Sequence, residues 1–411
     1  MWNPCELHHD RDSPLAFRLR VALGSVTRDD PGEHDVQHCR RHETAAAQRA
    51  PGNVTPQRNI MKTLAIVLLV CAAFSARTSA QTVELPLRET LLQRPGQHPR
   101  AIYSMPVRVG ATLIETGVDT GSIGLRVLPN VLKPEDAQAG EQPETYGYES
   151  GNKIDGVVGT ARIALGDRAA EGRLQLIRTL GCYPNGPHCP ATQVGGPEHF
   201  GLMGQGIPDA GFKAIVGLGF MQPKPGAPDN PFVELGVNRY LIDLPRSEGV
   251  TGRIILDPSA EDTKDFVELP NANADEIFGT AAPPDTVPGC LVKLEDSQMI
   301  CGSLLFDSAA APGIRVRLPG GQRGEWPLDT PGRIIFDDGH GHTLASEDFV
   351  AGPTHSADVY ISGAPPQQTR PIIHVGVVPY LAFSVLYDVT RHGLALRPLP
   401  EAPGAPVGRV P

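Results

Sequence analysis

The residues best suited to chemistry are Asp119-Thr120-Gly121-Ser122, which follow the strand-like stretch Ile114 to Val118. An Asp leaving a strand into a buried loop can be held by the neighbouring Thr hydroxyl. A Gly there lets backbone amides crowd close to the carboxylate oxygens. A second segment, Asp307-Ser308-Ala309-Ala310, follows Leu305-Phe306 in the same way. Carboxyls held about 3 Å apart cannot both ionise readily, so such a pair keeps one proton between them. One member can then act as base on a water while the other donates to a developing oxyanion. Neither segment does this alone: by itself the first reads as a turn and the second as an ordinary strand end.

Stepping outward, the elements that must position these loops read as β-strands. Ser104 to Val109, Thr160 to Leu165, Arg253 to Leu256, Ile314 to Leu318 and Phe383 to Tyr387 are strand-length and bounded by Gly, Pro or Asp. With 45 Gly and 41 Pro in the chain, frequent turns predict an all-β sandwich or barrel architecture, with brief helices such as Pro231 to Leu235. The order of features also repeats. A strand, an Asp loop and a hairpin region lead to Ile215-Val216-Gly217 in one half and to Ile373-His374-Val375-Gly376 in the other. An apolar pair ending in Gly can sit tightly behind an Asp loop, and two such halves facing each other would bring Asp119 and Asp307 together.

Compartment is legible as well. Met61-Lys62-Thr63, the apolar run Leu64 to Phe74 and the small residues Thr78-Ser79-Ala80 form a secretory signal pattern over 61–80. The run is too short to span a bilayer as a stable helix. Residues 1–60, polar and without clear period, read as a non-native extension produced by start-site assignment and take no part in the fold. The expected product is exported, periplasmic or secreted. A net charge of −10 with no basic run argues against nucleic acid or an anionic membrane surface as partner. Cys182, Cys189, Cys290 and Cys301 fall as two local pairs, which suits disulfides in an oxidising compartment better than a zinc knuckle. The second pair would clip a hairpin turning at Glu295-Asp296-Ser297.

Taken together, these landmarks resemble the pepsin-like aspartic peptidases. Tyr103 to Val109 resembles the strand before the first catalytic loop, and Asp119-Thr120-Gly121-Ser122 matches the first active-site motif. Tyr148-Glu149-Ser150-Gly151, leading to Gly156-Val157-Val158-Gly159, resembles the flap hairpin with Tyr148 as flap tyrosine. Thr251 to Leu256 looks like the opening of a second lobe. Ile334-Ile335-Phe336 with Asp338-Gly339 and Leu344 resembles a later hairpin, and Gly376 to Leu396 the C-terminal strands. The resemblance implies a two-lobed fold of double-psi β-barrels with a cleft between lobes 81–246 and 247–411. It implies Asp119 and Asp307 as catalytic pair, with Ser122 hydrogen-bonded to Asp119, and Thr120 and Ser308 tying the loops together. Tyr148 would close over a peptide or protein substrate. No cofactor or metal is implied, no membrane span remains after signal removal, and one chain supplies both halves, so a monomer suffices.

The sequence departs from that family at two places. Ala309 stands where Gly is expected, which would strain or widen the loop if positive φ or close approach is required. His374 stands where a plain apolar residue is usual. Asp337-Asp338-Gly339 offers a competing second Asp, but it would leave too few residues for a hairpin before Gly376. His340-Gly341-His342 is expected to be a solvated turn rather than a metal site, and Glu261, Asp262, Asp265 and Glu268 a solvated loop. Two functions fit these residues: an exported aspartic endopeptidase, or a catalytically inactive relative that binds peptide or protein in its cleft.

Overall fold

The computed structural model describes residues 82–400, except 94–97, 185, 222, 246–250, 273–285, 311–312, 354–356 and 367. The signal pattern at 61–80, the extension 1–60 and the expected lobe boundary at 246–247 lie outside the described residues.

Strands dominate, and the α-helices among the described residues are the short Pro231–Glu234 and Val378–Ala382. The strands form a 13-stranded and an 8-stranded sheet. The segments picked out by strand period in the sequence all lie in strands. Pro231–Glu234 starts at Asn230, whose side chain accepts from the Phe232 amide, and Pro231 occupies the first turn, where its missing N–H costs nothing.

The repeat expected from the order of features is present in the hydrogen bonding of the strands. Thr112–Asp119 runs parallel to Ala214–Leu218, which pairs antiparallel on its other side with Ile123–Val127. The chain therefore leaves one strand at Asp119, crosses the end of a second and returns beyond it. Gln298–Leu305 runs parallel to Ile372–His374, which pairs antiparallel with Gly313–Leu318. Asp307 and Ser308 lie in that second crossing. Further out, Ile123–Val127 runs parallel to Arg168–Cys182, as Gly313–Leu318 does to Asp358–Gly363. Such crossings bury strands on both faces, and Ile123–Val127 and Ala214–Leu218 are buried at every position.

One region differs from the sequence reading. The first expected strand lay beyond Arg100, yet Val83–Leu92 is already a strand. Its first part, Val83 to Leu87, pairs with Gly252–Leu256, and its second, Arg88 to Leu92, with Arg100–Val109. Leu85 and Leu87 are buried while Glu84 and Pro86 are exposed, the period-two pattern of a half-buried strand. Gly252–Leu256 then pairs with Arg239–Asp243, and that strand with Phe383–Asp388. Segments from before and after residue 246 thus interleave in one sheet, and a single buried apolar cluster runs from Leu85 and Val216 to Phe306 and Tyr387.

Both cysteine pairs are disulfide-bonded, Cys182 to Cys189 and Cys290 to Cys301. The second joins directly opposed residues of the hairpin formed by Thr286–Lys293 and Gln298–Leu305. No helix among the described residues is long and apolar enough to cross a membrane.

Candidate active site

The two crossings meet at their loops. The Thr120 amide donates to Ser308 Oγ at 3.1 Å, and the Ser308 amide to Thr120 Oγ1 at 2.9 Å. Thr120 Oγ1 in turn donates to the Phe306 carbonyl at 3.1 Å, and Ser308 Oγ to the Val118 carbonyl at 3.0 Å. Each hydroxyl therefore both accepts from and donates to the opposite loop. All four groups are buried, where an unmade hydrogen bond is costly, so the arrangement fixes one loop against the other. Tyr380 Oη adds a further donor to Thr120 Oγ1 at 2.9 Å and is itself hydrogen-bonded to Tyr387.

This clasp brings Asp119 and Asp307 together. A Cβ built on Gly121 would lie 2.4 Å from Asp307 Cγ and 2.6 and 2.7 Å from its two oxygens. Gly121 is thus required by contact, since its φ is outside the left-handed region. Each Asp accepts from the amide two residues on: Gly121 N to Asp119 Oδ1 at 2.9 Å, Ala309 N to Asp307 Oδ1 at 3.1 Å. Ala309 also lies outside the left-handed region, so the strain that a positive φ would have caused does not arise. Its Cβ is the only addition, and its amide serves Asp307 as that of Gly121 serves Asp119.

Asp119 is 4 % exposed. Burial and then the nearby Asp307 carboxyl push its pKa up to about 7, against Ser122, the Gly121 amide and Arg126, which favour the ionised form. Ser122 Oγ is buried beside it without a hydrogen bond of normal geometry, so the bond expected to Asp119 is a close approach only. A carboxyl that keeps its proton towards neutrality, next to a second carboxyl, is the electrostatic setting of a shared proton.

The loops face a cavity of about 1360 Å³ whose lining includes Asp119, Asp307, Tyr148, Glu149, Phe220 and His374. Tyr148 and Glu149 belong to the tip of the hairpin formed by Gln138–Gly147 and Asn152–Leu165. That tip is closed by Tyr148 N to Asn152 O at 3.0 Å and Gly151 N to Tyr148 O at 2.9 Å, with Gly151 at φ 87°, a conformation glycine adopts without strain. Tyr148 packs its ring against Tyr146 with centroids 5.1 Å apart, and its hydroxyl is buried.

Three contributors went unassigned in the sequence. Arg126 is 2 % exposed, with its guanidinium 3.3 Å from the Tyr146 ring centroid and donating to the Ile123 carbonyl at 2.5 Å. A charge inside the otherwise apolar run Ile123–Val127, four residues past Ser122, was the available signal. Glu149 pairs with Arg317 and lies 3.2 Å from His374 Nε2; its value depends on a contact 168 residues away, which no local pattern displays. His374 stands out in the sequence as a polar residue where an apolar one is usual, but its partner, Asp307 Oδ2 at 3.0 Å from Nδ1, emerges only on folding.

The remaining candidates lie elsewhere. Asp337 and Asp338 cap their own turn, donors being the Gly339 amide at 2.7 Å and the His340 amide at 2.8 Å. His342, largely exposed, pairs with Asp338 at 2.7 Å. Among the described residues no group of three or more His, Cys, Asp or Glu is placed to hold a metal ion. Ser259 and Asp262 bond each other in an exposed turn.

The chain matches no known protein-family model, and no curated protein is significantly similar to it.

Proposed function

We propose that this protein is an exported aspartic endopeptidase of two-lobed, pepsin-like design, with Asp119 and Asp307 as its catalytic pair. The observation that carries the reading is the clasp of Thr120 and Ser308, which sets two carboxyls on symmetry-related crossings against each other at the floor of a cavity. The cavity exceeds the ~300–1,000 Å³ usual for small-molecule sites, as an extended peptide requires. The disulfides suit an oxidising compartment.

In this reading the ionised carboxylate takes a proton from a water molecule, whose oxygen attacks the peptide carbonyl carbon. The protonated carboxyl gives its proton to the carbonyl oxygen, forming a gem-diol. The gem-diol then loses a hydroxyl proton to the pair, the amine nitrogen receives one, and the C–N bond breaks to give acid and amine. The Tyr148 hairpin covers the substrate and shields the reacting centre, with its one attacking water, from bulk solvent.

Purified protein is expected to cleave an unfolded protein substrate between about pH 3 and 7, where such pairs titrate. Asp119→Asn and a pepstatin-type transition-state mimic should each abolish cleavage, the variant by about 10³-fold or more. Absence of cleavage across that range by the native protein would sink the reading. A second reading, a cleft that binds peptide without cutting it, draws on the His374 contact that already engages Asp307. Peptide binding by the native protein without turnover would favour it.

A further inference from the structure

His374 lies between two carboxylates. Its Nδ1 is 3.0 Å from Asp307 Oδ2 and its Nε2 is 3.2 Å from Glu149 Oε1. A neutral imidazole carries a single N–H, so one nitrogen would present a lone pair to a carboxylate oxygen; only the imidazolium donates to both. The groups facing the ring come from three places: Asp307 from its loop, Glu149 from the hairpin tip, and Arg315 and Arg317 from the adjoining strand Gly313–Leu318. Burial opposes the charge and Arg317 adds to that, but Glu149 and Asp307 outweigh them and hold the His374 pKa above the ordinary imidazole value. Burial likewise opposes ionisation of Glu149, and His374, Arg317 and Arg315 outweigh it to hold its pKa below the ordinary carboxylate value.

The fold gives this arrangement to one half only. Arg126 is opposite Ile215 in the first crossing, and Arg315 opposite His374 in the second. Ile215, at the place equivalent to His374, is buried in an apolar cluster with Tyr146, Ile154 and Leu202. Glu149, on the hairpin of the first half, reaches across to His374 and Arg317 of the second.

We propose that His374, as an imidazolium, is a positioning residue that keeps Asp307 as the ionised member of the pair and latches the hairpin tip over the cavity through Glu149. The shared proton then resides on Asp119, so Asp307 is the base towards water and Asp119 the acid towards the carbonyl oxygen. That division of labour rests on the peptidase reading; the latch does not.

The direction with pH follows from the two shifts. The stabilisation from His374, whose pKa is raised, is complete below the ordinary imidazole value and is lost as pH rises through the raised one. The stabilisation from Glu149, whose pKa is lowered, is complete above the ordinary carboxylate value and is lost as pH falls through the lowered one. The latch is closed between them and opens on either side, through Glu149 on the acid side and through His374 on the alkaline side.

Amide hydrogen exchange at the tip, where Tyr148 and Gly151 donate, tests the latch in the full-length protein. At about pH 6, Glu149→Gln and His374→Gln should speed exchange there by about tenfold or more relative to native, without a comparable change in the central strands. At about pH 9 the difference should shrink. Nitrogen NMR should show both ring nitrogens of His374 protonated at about pH 6. Unchanged tip exchange in Glu149→Gln, which leaves the buried strand of His374 intact, or a singly protonated His374 at that pH overturns the proposal. Cleavage gives a separate arm: His374→Gln should lower kcat more than it raises KM and move the pH profile. If the native protein cleaves nothing, the peptidase reading fails while the exchange and NMR results still decide the latch. A normal latch with an unmoved pH profile removes the assignment of the proton alone.

Discussion

The Asp119 and Asp307 crossings share one wiring and one clasp yet place their carboxyls in different electrostatic surroundings. Asp119 is enclosed, with Arg126 turned onto Tyr146 and the apolar Ile215 behind it. Asp307 is met by His374, and through it by Glu149 and Arg317. The backbone amides treat both Asp residues alike. The difference teaches that strand pairing creates the meeting of the loops, whereas the side chain at one register position decides how charge is divided between them.

The sharpest way to break this comparison is at the residue after each hydroxyl. Gly121→Ala would drive a Cβ into the Asp307 carboxyl; the expected result is a loss of about 10²-fold or more in kcat/KM. Overpacking there should also cost about 1–3 kcal/mol in stability. Ala309→Gly should change stability by no more than about 1 kcal/mol and leave activity near native. Comparable losses in both variants, measured by kinetics and denaturant midpoints, would mean that the loops are not distinguished by contact.

A smaller effect separates the carboxyls by pH. Because folded Asp119 keeps its proton up to about 7 and an unfolded Asp releases it near ~3.9, the native protein should lose stability as pH rises through that interval. Asp119→Asn has no proton to lose. It should therefore become more stable than native by up to a few kcal/mol at about pH 7, with the advantage gone below about pH 4. Urea unfolding across that series checks the sign, and a constant difference would contradict it. Stabilisation by removal of a functional group is the usual mark of a site held against its own preference.

The smallest effect concerns the clasp. Thr120 Oγ1 serves Ser308, Phe306 and Tyr380, whereas Ser308 Oγ serves Thr120 and Val118. Thr120→Ala and Ser308→Ala should each cost about 1–3 kcal/mol, the former more by about 1 kcal/mol. Their double variant should cost less than the sum, since both act on the same pair of loops. Strict additivity would show that the two hydroxyls hold their loops independently.

Much of the scaffold was legible because its signals are local. Strand period marked Ser104 to Val109 and Ile314 to Leu318, and the turn at Glu295 to Ser297 with flanking cysteines marked the clipped hairpin, whose disulfide is formed. Val83–Leu92 carries the same period-two signal only over its first half, at Val83, Leu85 and Leu87; past them Arg88, Glu89 and Thr90 are exposed and break the alternation. Which of the two constraints, positive φ or close approach, acts at the residue after each hydroxyl is not legible locally: neither Gly121 nor Ala309 has positive φ, and the close approach at Gly121 is to a residue on the other loop.

Sequence by itself determined the elements: which runs are extended, where they turn, which cysteines lie near one another, and that two Asp-hydroxyl segments occur in repeated settings. These follow from side-chain alternation and backbone chemistry, which act over a few residues. Only the tertiary structure decided that Gly121 abuts Asp307, that Arg126 is buried against Tyr146, and that His374 bridges Asp307 to Glu149. Those facts depend on register between strands far apart in the chain. A shift of one residue would turn His374 to the opposite face of its strand.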